Sequence, residues 1–226
     1  MTASRNRIAI AGAGKVGRYV ANDLRSKGHE VVLLEQNRDK AAALKNEVDV
    51  SWVIGDACEL HTLDEAVLSS CDVMVAATGD DEDNLVISLL AKQEFAVPQV
   101  VARVNFPDNA WLFTDTWGVD VAVSTPHLLT SVVEEAVSVG ELVTLFSLEQ
   151  GKVGLLEVTL APTSPASGKT IGELALPPDC TIVAVVRARH VIAPTSETPL
   201  EVGDEVLALA TPDAEPDLQR ALAGEG

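Results

Sequence analysis

The chain has 226 residues, room for one large domain or two small ones, and with only 4% aromatic residues its core must be built from Val, Leu, Ala and Ile. A net charge of −18 argues against DNA, RNA or anionic lipid as direct partners. It fits a cationic partner, such as the Lys/Arg-rich cytoplasmic face of a membrane protein, and equally fits solubility alone. No apolar run approaches the ~20 residues that cross a bilayer, and the polar start, Thr2 to Arg7, has no secretory apolar segment; a soluble, cytoplasmic protein is expected.

Ile8 to Ala11 reads as a buried strand running into Gly12, Gly14 and Gly17, the G-x-G-x-x-G spacing. Tyr19 to Arg25 then shows helical spacing, with Val20, Ala21 and Leu24 on one side. In such a strand–turn–helix unit the first glycine makes the turn, the second admits a pyrophosphate to the backbone, and the third lets helix and strand pack closely. A second apolar run, Val31 to Leu34, ends in Glu35, 18 residues past Gly17, near the spacing at which an acid meets ribose hydroxyls. A nucleotide site is the reading. Arg38 falls near where a ribose 2′-phosphate would lie, but Glu35 would repel that group, so an unphosphorylated ribose is expected. A helix over 41–48 follows.

Ser51 to Ile54 is a third strand, leading into Gly55-Asp56-Ala57. At a strand's C-terminal end Asp56 is placed either to accept from an adenine amino group or to cap the helix expected over Leu60 to Leu68. Val73 to Ala77 is a fourth strand, with Thr78 and Gly79 in the loop that would face the phosphates. The acids Asp80 to Asp83 could hold a cation, though such residues more often favour the positive start of a helix, here Leu85 to Lys92. Val100 to Val104 is a fifth strand whose Arg103 needs an anion, either a phosphate or an acid side chain. Val119 to Val123 is a sixth. The alternation predicts a Rossmann-like, doubly wound and mostly parallel α/β sheet.

Pro126 marks a break before a helix over 127–138, apolar on more than one side and stopped by Gly140, which suits a connecting or dimer-forming helix. Beyond Glu141 the pattern changes to a small α+β domain. Strands are expected at Leu155 to Leu160, Thr181 to Arg187, Val191 to Ala193 and Glu205 to Thr211. A turn at 163–168, a short helix at Lys169 to Leu174 and a closing helix at Asp213 to Ala223 complete it. A domain this small is expected to lean on a partner copy. The boundaries are thus 1–125, 126–140 and 141–226. Cys58, Cys71 and Cys180 are scattered, as are His29, His61, His127 and His190, so reduced thiols and no metal site are expected.

These pieces resemble the cytosolic regulatory subunits of bacterial potassium uptake systems of the Trk and Ktr type, the RCK or KTN proteins of the TrkA family. The first half matches at Gly12-Ala13-Gly14-Lys15-Val16-Gly17, Glu35, Gly55-Asp56-Ala57 and Thr78-Gly79 with Asp83-Asn84-Leu85. The tail matches at Ser167 to Leu174, Ile182 to Arg187, Ile192-Ala193-Pro194 and Leu200 to Leu207. The resemblance implies a non-enzymatic regulator whose dimers assemble into an octameric ring beneath a potassium-translocating membrane protein, held at the inner face of the membrane through that partner. It implies an adenine nucleotide, NAD or NADH or ATP or ADP, in the N-terminal domain. Gly12, Gly14 and Gly17 would hold phosphates, Glu35 the ribose, Asp56 the adenine edge, and Lys15 and Arg103 the outer phosphates. Ala13, Val16, Gln36, Arg38, Ala57, Thr78 and Gly79 complete the expected contacts. Where some relatives carry a glutamate that helps hold a cation, this chain has His127. The alternative, a small NAD(P)-dependent oxidoreductase, lacks an acid–base constellation: the tail offers only His190, in a tight turn.

Overall fold

A computed structural model describes residues 5–148 and 152–224, apart from the side chains of Glu135, Ala136 and Ser147. Residues 1–4 of the polar start, and residues 149–151 and 225–226 of the expected tail domain, lie outside the described residues. The chain divides into two compact units, Met1–Pro126 and His127–Gly226.

The first unit is a parallel sheet of β1 (Arg7–Ala11), β2 (Glu30–Glu35), β3 (Ser51–Ile54), β4 (Val73–Ala76), β5 (Gln99–Val104) and β6 (Val121–Ser124), in the order β3-β2-β1-β4-β5-β6. The strands read as continuous apolar runs because both faces of the sheet are covered, as a parallel sheet requires. Ala9, Val32, Met74 and Ala102 belong to one core layer, and Ile8, Ile10, Val31 and Leu33 to the other. Each fully buried Val, Leu, Ile or Met side chain among these contributes about 1.5–3 kcal/mol. The strand order reverses between β1 and β4, and at such a switch point the connections part and leave a crevice at the strands' carboxyl ends.

Four helices connect these strands: α1 (Lys15–Ser26), α2 (Arg38–Leu44), α3 (Leu60–Glu65) and α4 (Asp81–Gln93). Helix α1 starts four residues before the apolar spacing reveals it, because its first turn, Lys15-Val16-Gly17, carries almost no apolar signal. Helix α4 likewise begins within the acid run: Asp80 caps it by accepting from the Asp83 N–H, and Asp81, Glu82 and Asp83 fill its first turn. The helix-dipole reading of those acids stands. Helix α3 is shorter than expected, since Val67 takes a left-handed conformation (φ 51°) and the chain continues as a 3₁₀ turn at Leu68–Ser70. Two further 3₁₀ segments, Pro107–Leu112 and Asp115–Trp117, fill the connection between β5 and β6.

In the second unit, β7 (Val143–Leu148), β8 (Val153–Thr159), β9 (Cys180–Arg187), β10 (His190–Ile192) and β11 (Glu205–Ala210) form an antiparallel sheet in the order β10-β9-β11-β8-β7. Helix α5 (Thr125–Val137) precedes it, and Pro126 lies inside its first turn, where the missing N–H costs nothing, rather than before it. Helix α6 (Glu215–Leu222) sets Leu218 and Leu222 against Leu156, Val158, Val206 and Ala208 of the sheet. The short helix expected at Lys169 to Leu174 is a 3₁₀ turn, Ile171–Glu173, with a reciprocal capping box between Thr170 and Glu173.

One ion pair fixes the far end of this sheet. Asp204 is wholly buried, and its two oxygens receive Nε and an Nη of Arg187, at 2.7 Å each. The Glu201 N–H donates to the same carboxylate at 2.8 Å, and Arg187 also reaches the Pro199 carbonyl and Glu201. Burial pushes the Asp204 carboxyl up, but the Arg187 guanidinium and the Glu201 N–H outweigh it and hold the group below its ordinary value.

Candidate nucleotide-binding site

The crevice at the β1/β4 switch point is a cleft of about 280 Å³. Of the residues predicted from the sequence it brings together Gly12, Gly14, Glu35, Gln36, Asp56, Ala57, Thr78, Gly79 and Arg103. Leu34, Lys40, Gly55, Ala77, Asp83 and Ile87 join them. It does not bring in Ala13, Lys15, Val16, Gly17 or Arg38. Ala13 is buried behind the turn, and its N–H donates to Glu35 at 3.1 Å. Gly17 packs into the turn, while Lys15, Val16 and Arg38 are exposed outside the lining.

The three glycines of the fingerprint do different work. Gly12 has φ +100°, and a Cβ there would lie 2.8 Å from the Ala77 carbonyl oxygen. At Gly17 a Cβ would lie 2.0 Å from the Gly12 carbonyl oxygen. Both are demanded by the fold. Gly14 is not: its φ of −71° suits any residue, and a Cβ would meet nothing within 4 Å. Glycine at that point serves whatever approaches from the cleft. Gly14 is also the N-cap of α1, with no side-chain acceptor on the first-turn N–H groups and no acid in the first turn. The positive end of this helix is left uncompensated at the cleft, unlike α4 with its cap and three acids.

Opposite these amides, Arg103 comes off the end of β5. Among the described residues its Nε is buried without a hydrogen-bond partner, as are those of Arg7 and Arg18, but of the three only Arg103 lines the cleft. Asn84 of α4 braces this side of the cleft: its amide donates to the Arg103 carbonyl at 2.9 Å, and its oxygen accepts from the Thr78 N–H and hydroxyl at 2.9 and 2.8 Å. Asp81, which the sequence places in the same acid run, is buried. It accepts from the N–H groups of Asn105 and Phe106 and from the side chain of Asn109, a structural role away from the cleft. Asp56 accepts from the Cys58 N–H at 2.9 Å, and the N-cap of α3 is Glu59, so the capping alternative for Asp56 does not apply.

Glu35 ends β2 with its side chain 6% exposed. It accepts from the N–H groups of Ala13 and Asn37 and from Lys40 Nζ at 2.6 Å. Burial pushes its carboxyl up, but Lys40 and the two N–H donors outweigh burial and hold it below the usual 4.5. Lys40 escaped sequence reasoning because only the turn brings it back. Asn37 caps α2 by accepting from the Lys40 N–H at 2.9 Å, which returns the Lys40 side chain to the strand end.

An acid-pH consequence follows from the sign of these shifts. Glu35, Asp81 and Asp204 all titrate below their unfolded values of 4.5 and 3.8. The stability each adds is complete above those values and is lost as pH falls through the folded pKa. Glu173, held down by the Thr170 N–H and hydroxyl, acts in the same direction, and Glu215, raised by burial alone, works the other way, one group against four. The urea midpoint is expected to hold from neutral pH to about 5 and to fall steadily below about 4.5; a midpoint that rises on acidification would contradict this.

The first unit is a 3-2-1-4-5-6 parallel sheet with a glycine-lined cleft at its switch point, and a small antiparallel domain follows it in the same chain. A family model described as the TrkA-N domain matches residues 8–125, and one described as the TrkA-C domain matches residues 155–223. The chain is 51% identical over 218 residues to the Trk system potassium uptake protein TrkA of Mycobacterium tuberculosis, covering 96% of this chain and 98% of that one. The chain belongs to the TrkA family. Two solved structures share its fold. The GsuK channel bound to NAD has a TM-score of 0.62 at 21% identity, covering 100% of this chain and 41% of that one. The GsuK bound to ADP has a TM-score of 0.53 at 22% identity, covering 62% and 37%. No helix among the described residues is long and apolar enough to cross a membrane.

Proposed function

We propose that the chain is a nucleotide-binding regulatory subunit that gates a potassium-translocating membrane protein from its cytoplasmic face, through ligand-dependent rearrangement of an oligomeric ring. The observation that carries the binding half is Gly14, a glycine the fold does not need, at an uncapped helix start in a cleft of about 280 Å³. The α1 amides and Gly12 and Gly14 receive a diphosphate, Arg103 an outer phosphate, Glu35 the ribose hydroxyls, and Asp56 the adenine edge. Lys15 reaches the phosphates from outside the cleft wall. The ligand is an adenine nucleotide; NAD and ADP are the first candidates, because they are the nucleotides named in the two GsuK structures. The partner is the membrane subunit of a Trk-type system, by analogy with the name of the mycobacterial relative.

The assembly half rests on α5. Leu129, Val132, Val133 and Val137, each between 58% and 75% exposed in a single copy, recur at helical spacing along its outer side. An apolar stripe of this kind marks an interface. Residues 126–140 form the connecting and dimerisation segment in this reading, between a nucleotide-binding domain at 1–125 and the tail domain at 141–226. Occupancy gates the partner only if the nucleotide binds two ring arrangements with different affinity, typically by about 1–3 kcal/mol.

Thermal-shift titration with NAD, NADH, ADP and ATP tests the first half: at least one should raise the melting temperature. Light scattering tests the second. The chain should run as a dimer or larger and fall to a monomer on Val133→Asp. A cleft that takes no adenine nucleotide, or a wild-type monomer, would end the proposal.

A further inference from the structure

Two cations line the cleft among the described residues, and the sheet order separates them. Arg103 is the last residue but one of β5, and Lys40 is paired with Glu35 at the end of β2. The order β2-β1-β4-β5 puts three strand steps between those ends, roughly 14 Å at the usual spacing. Lys40, paired with Glu35, stands at the β2 end of the cleft, where the ribose is placed in this reading. Arg38, the residue whose sequence position suggests a 2′-phosphate contact, is exposed and outside the lining.

Glu35 cannot turn away from what arrives beside it. Three donors pin its two oxygens: Ala13 N–H and Lys40 Nζ on one, Asn37 N–H on the other. A ribose with free hydroxyls can donate to the remaining lone pair on the second oxygen and accept from the Lys40 ammonium. A 2′-phosphate would meet the fixed carboxylate at contact distance and would have to draw Lys40 off it.

We propose that Lys40 sets how far the cleft tolerates a 2′-phosphate: paired with Glu35 it only tempers the repulsion by that carboxylate, and released from Glu35 it anchors the phosphate. The proposal rests on the adenine-nucleotide reading above and adds a residue that chooses between two classes of nucleotide.

Calorimetry on the full chain with NAD and NADP tests it, reading the ratio of the two dissociation constants, with melting temperatures as a folding control. Wild type should prefer NAD. Glu35→Gln should move the ratio toward NADP by at least about tenfold, since the ammonium is freed for a charge-assisted bond. Adding Lys40→Met to Glu35→Gln should return most of that shift. Should the Glu35 variant fold poorly, Lys40→Met alone, at an exposed position, should move the ratio further toward NAD. A ratio that is the same with and without Lys40 in either background overturns the proposal while leaving nucleotide binding intact. Wild type that binds neither compound nor ADP sinks the nucleotide reading itself, and this proposal with it.

Discussion

Gly14→Ala is expected to fold like wild type and to lose nucleotide binding, whereas Gly17→Ala is expected to fail at folding. The two positions lie three residues apart in one fingerprint, yet a methyl group meets different things at each. At Gly14 it enters open space, in a conformation any residue adopts, so only the modest cost of alanine at an N-cap remains, within about 1 kcal/mol of glycine. The same methyl occupies the approach to the α1 amides. An overpacking cost of about 1–3 kcal/mol against a bound phosphate translates to about 5- to 150-fold weaker binding. At Gly17 the methyl would sit 2.0 Å from the Gly12 carbonyl oxygen, a backbone atom of a turn that already has φ +100° at Gly12. Neither side can give without separating α1 from β1, and the loss should exceed the usual overpacking range. Thermal melts and calorimetry on the two variants distinguish these outcomes. A Gly14→Ala protein with unchanged affinity would remove the diphosphate from this turn.

The Arg187–Asp204 pair should give the largest effect in the second unit, and an uneven one. Arg187→Ala strands a carboxylate that is 1% exposed, leaving only the Glu201 N–H to hold it. The expected loss lies toward the upper end of the about 3–5 kcal/mol typical of a broken buried pair. Asp204→Ala should cost less, because the Arg187 side chain is 27% exposed and keeps Glu201 and the Pro199 carbonyl as partners. Replacing both by apolar residues, as in Arg187→Met with Asp204→Leu, should recover most of the loss, since desolvation offsets much of what the pair contributes. Urea unfolding of the three variants reads this directly. Equal losses for the two single variants would mean that the buried charge is not what decides the cost.

The parallel sheet was legible because its strands are buried on both sides: Ile8 to Ala11, Val31 to Leu34 and Val100 to Val104 need no alternation to be recognised. Helix starts were less legible, since what begins α1 is the backbone of Gly14 and what begins α4 is a row of acids, neither of which carries apolar periodicity. The left-handed Val67 could not be read from a β-branched residue that ordinarily avoids that conformation. Strand β7 was missed because its register shifts between Thr144 and Phe146, which breaks the period of two. At the cleft, spacing marked Gly12 and Glu35, strand-end placement marked Asp56 and Thr78, and the family resemblance marked Arg103; all five line it. Lys40 was not, nor was the pairing of Arg187 with Asp204. Both depend on a turn folding back, and neither partner's identity predicts the other.

Asn84 makes the tips of β4 and β5 one mechanical part. Its carboxamide spends its oxygen on Thr78 and a proton on the Arg103 carbonyl, so neither strand end can shift without dragging the other or exposing a bare polar atom in a dry place. The Thr78 turn and the Arg103 backbone are thus joined through a single planar group, and Asn84→Ala would uncouple them.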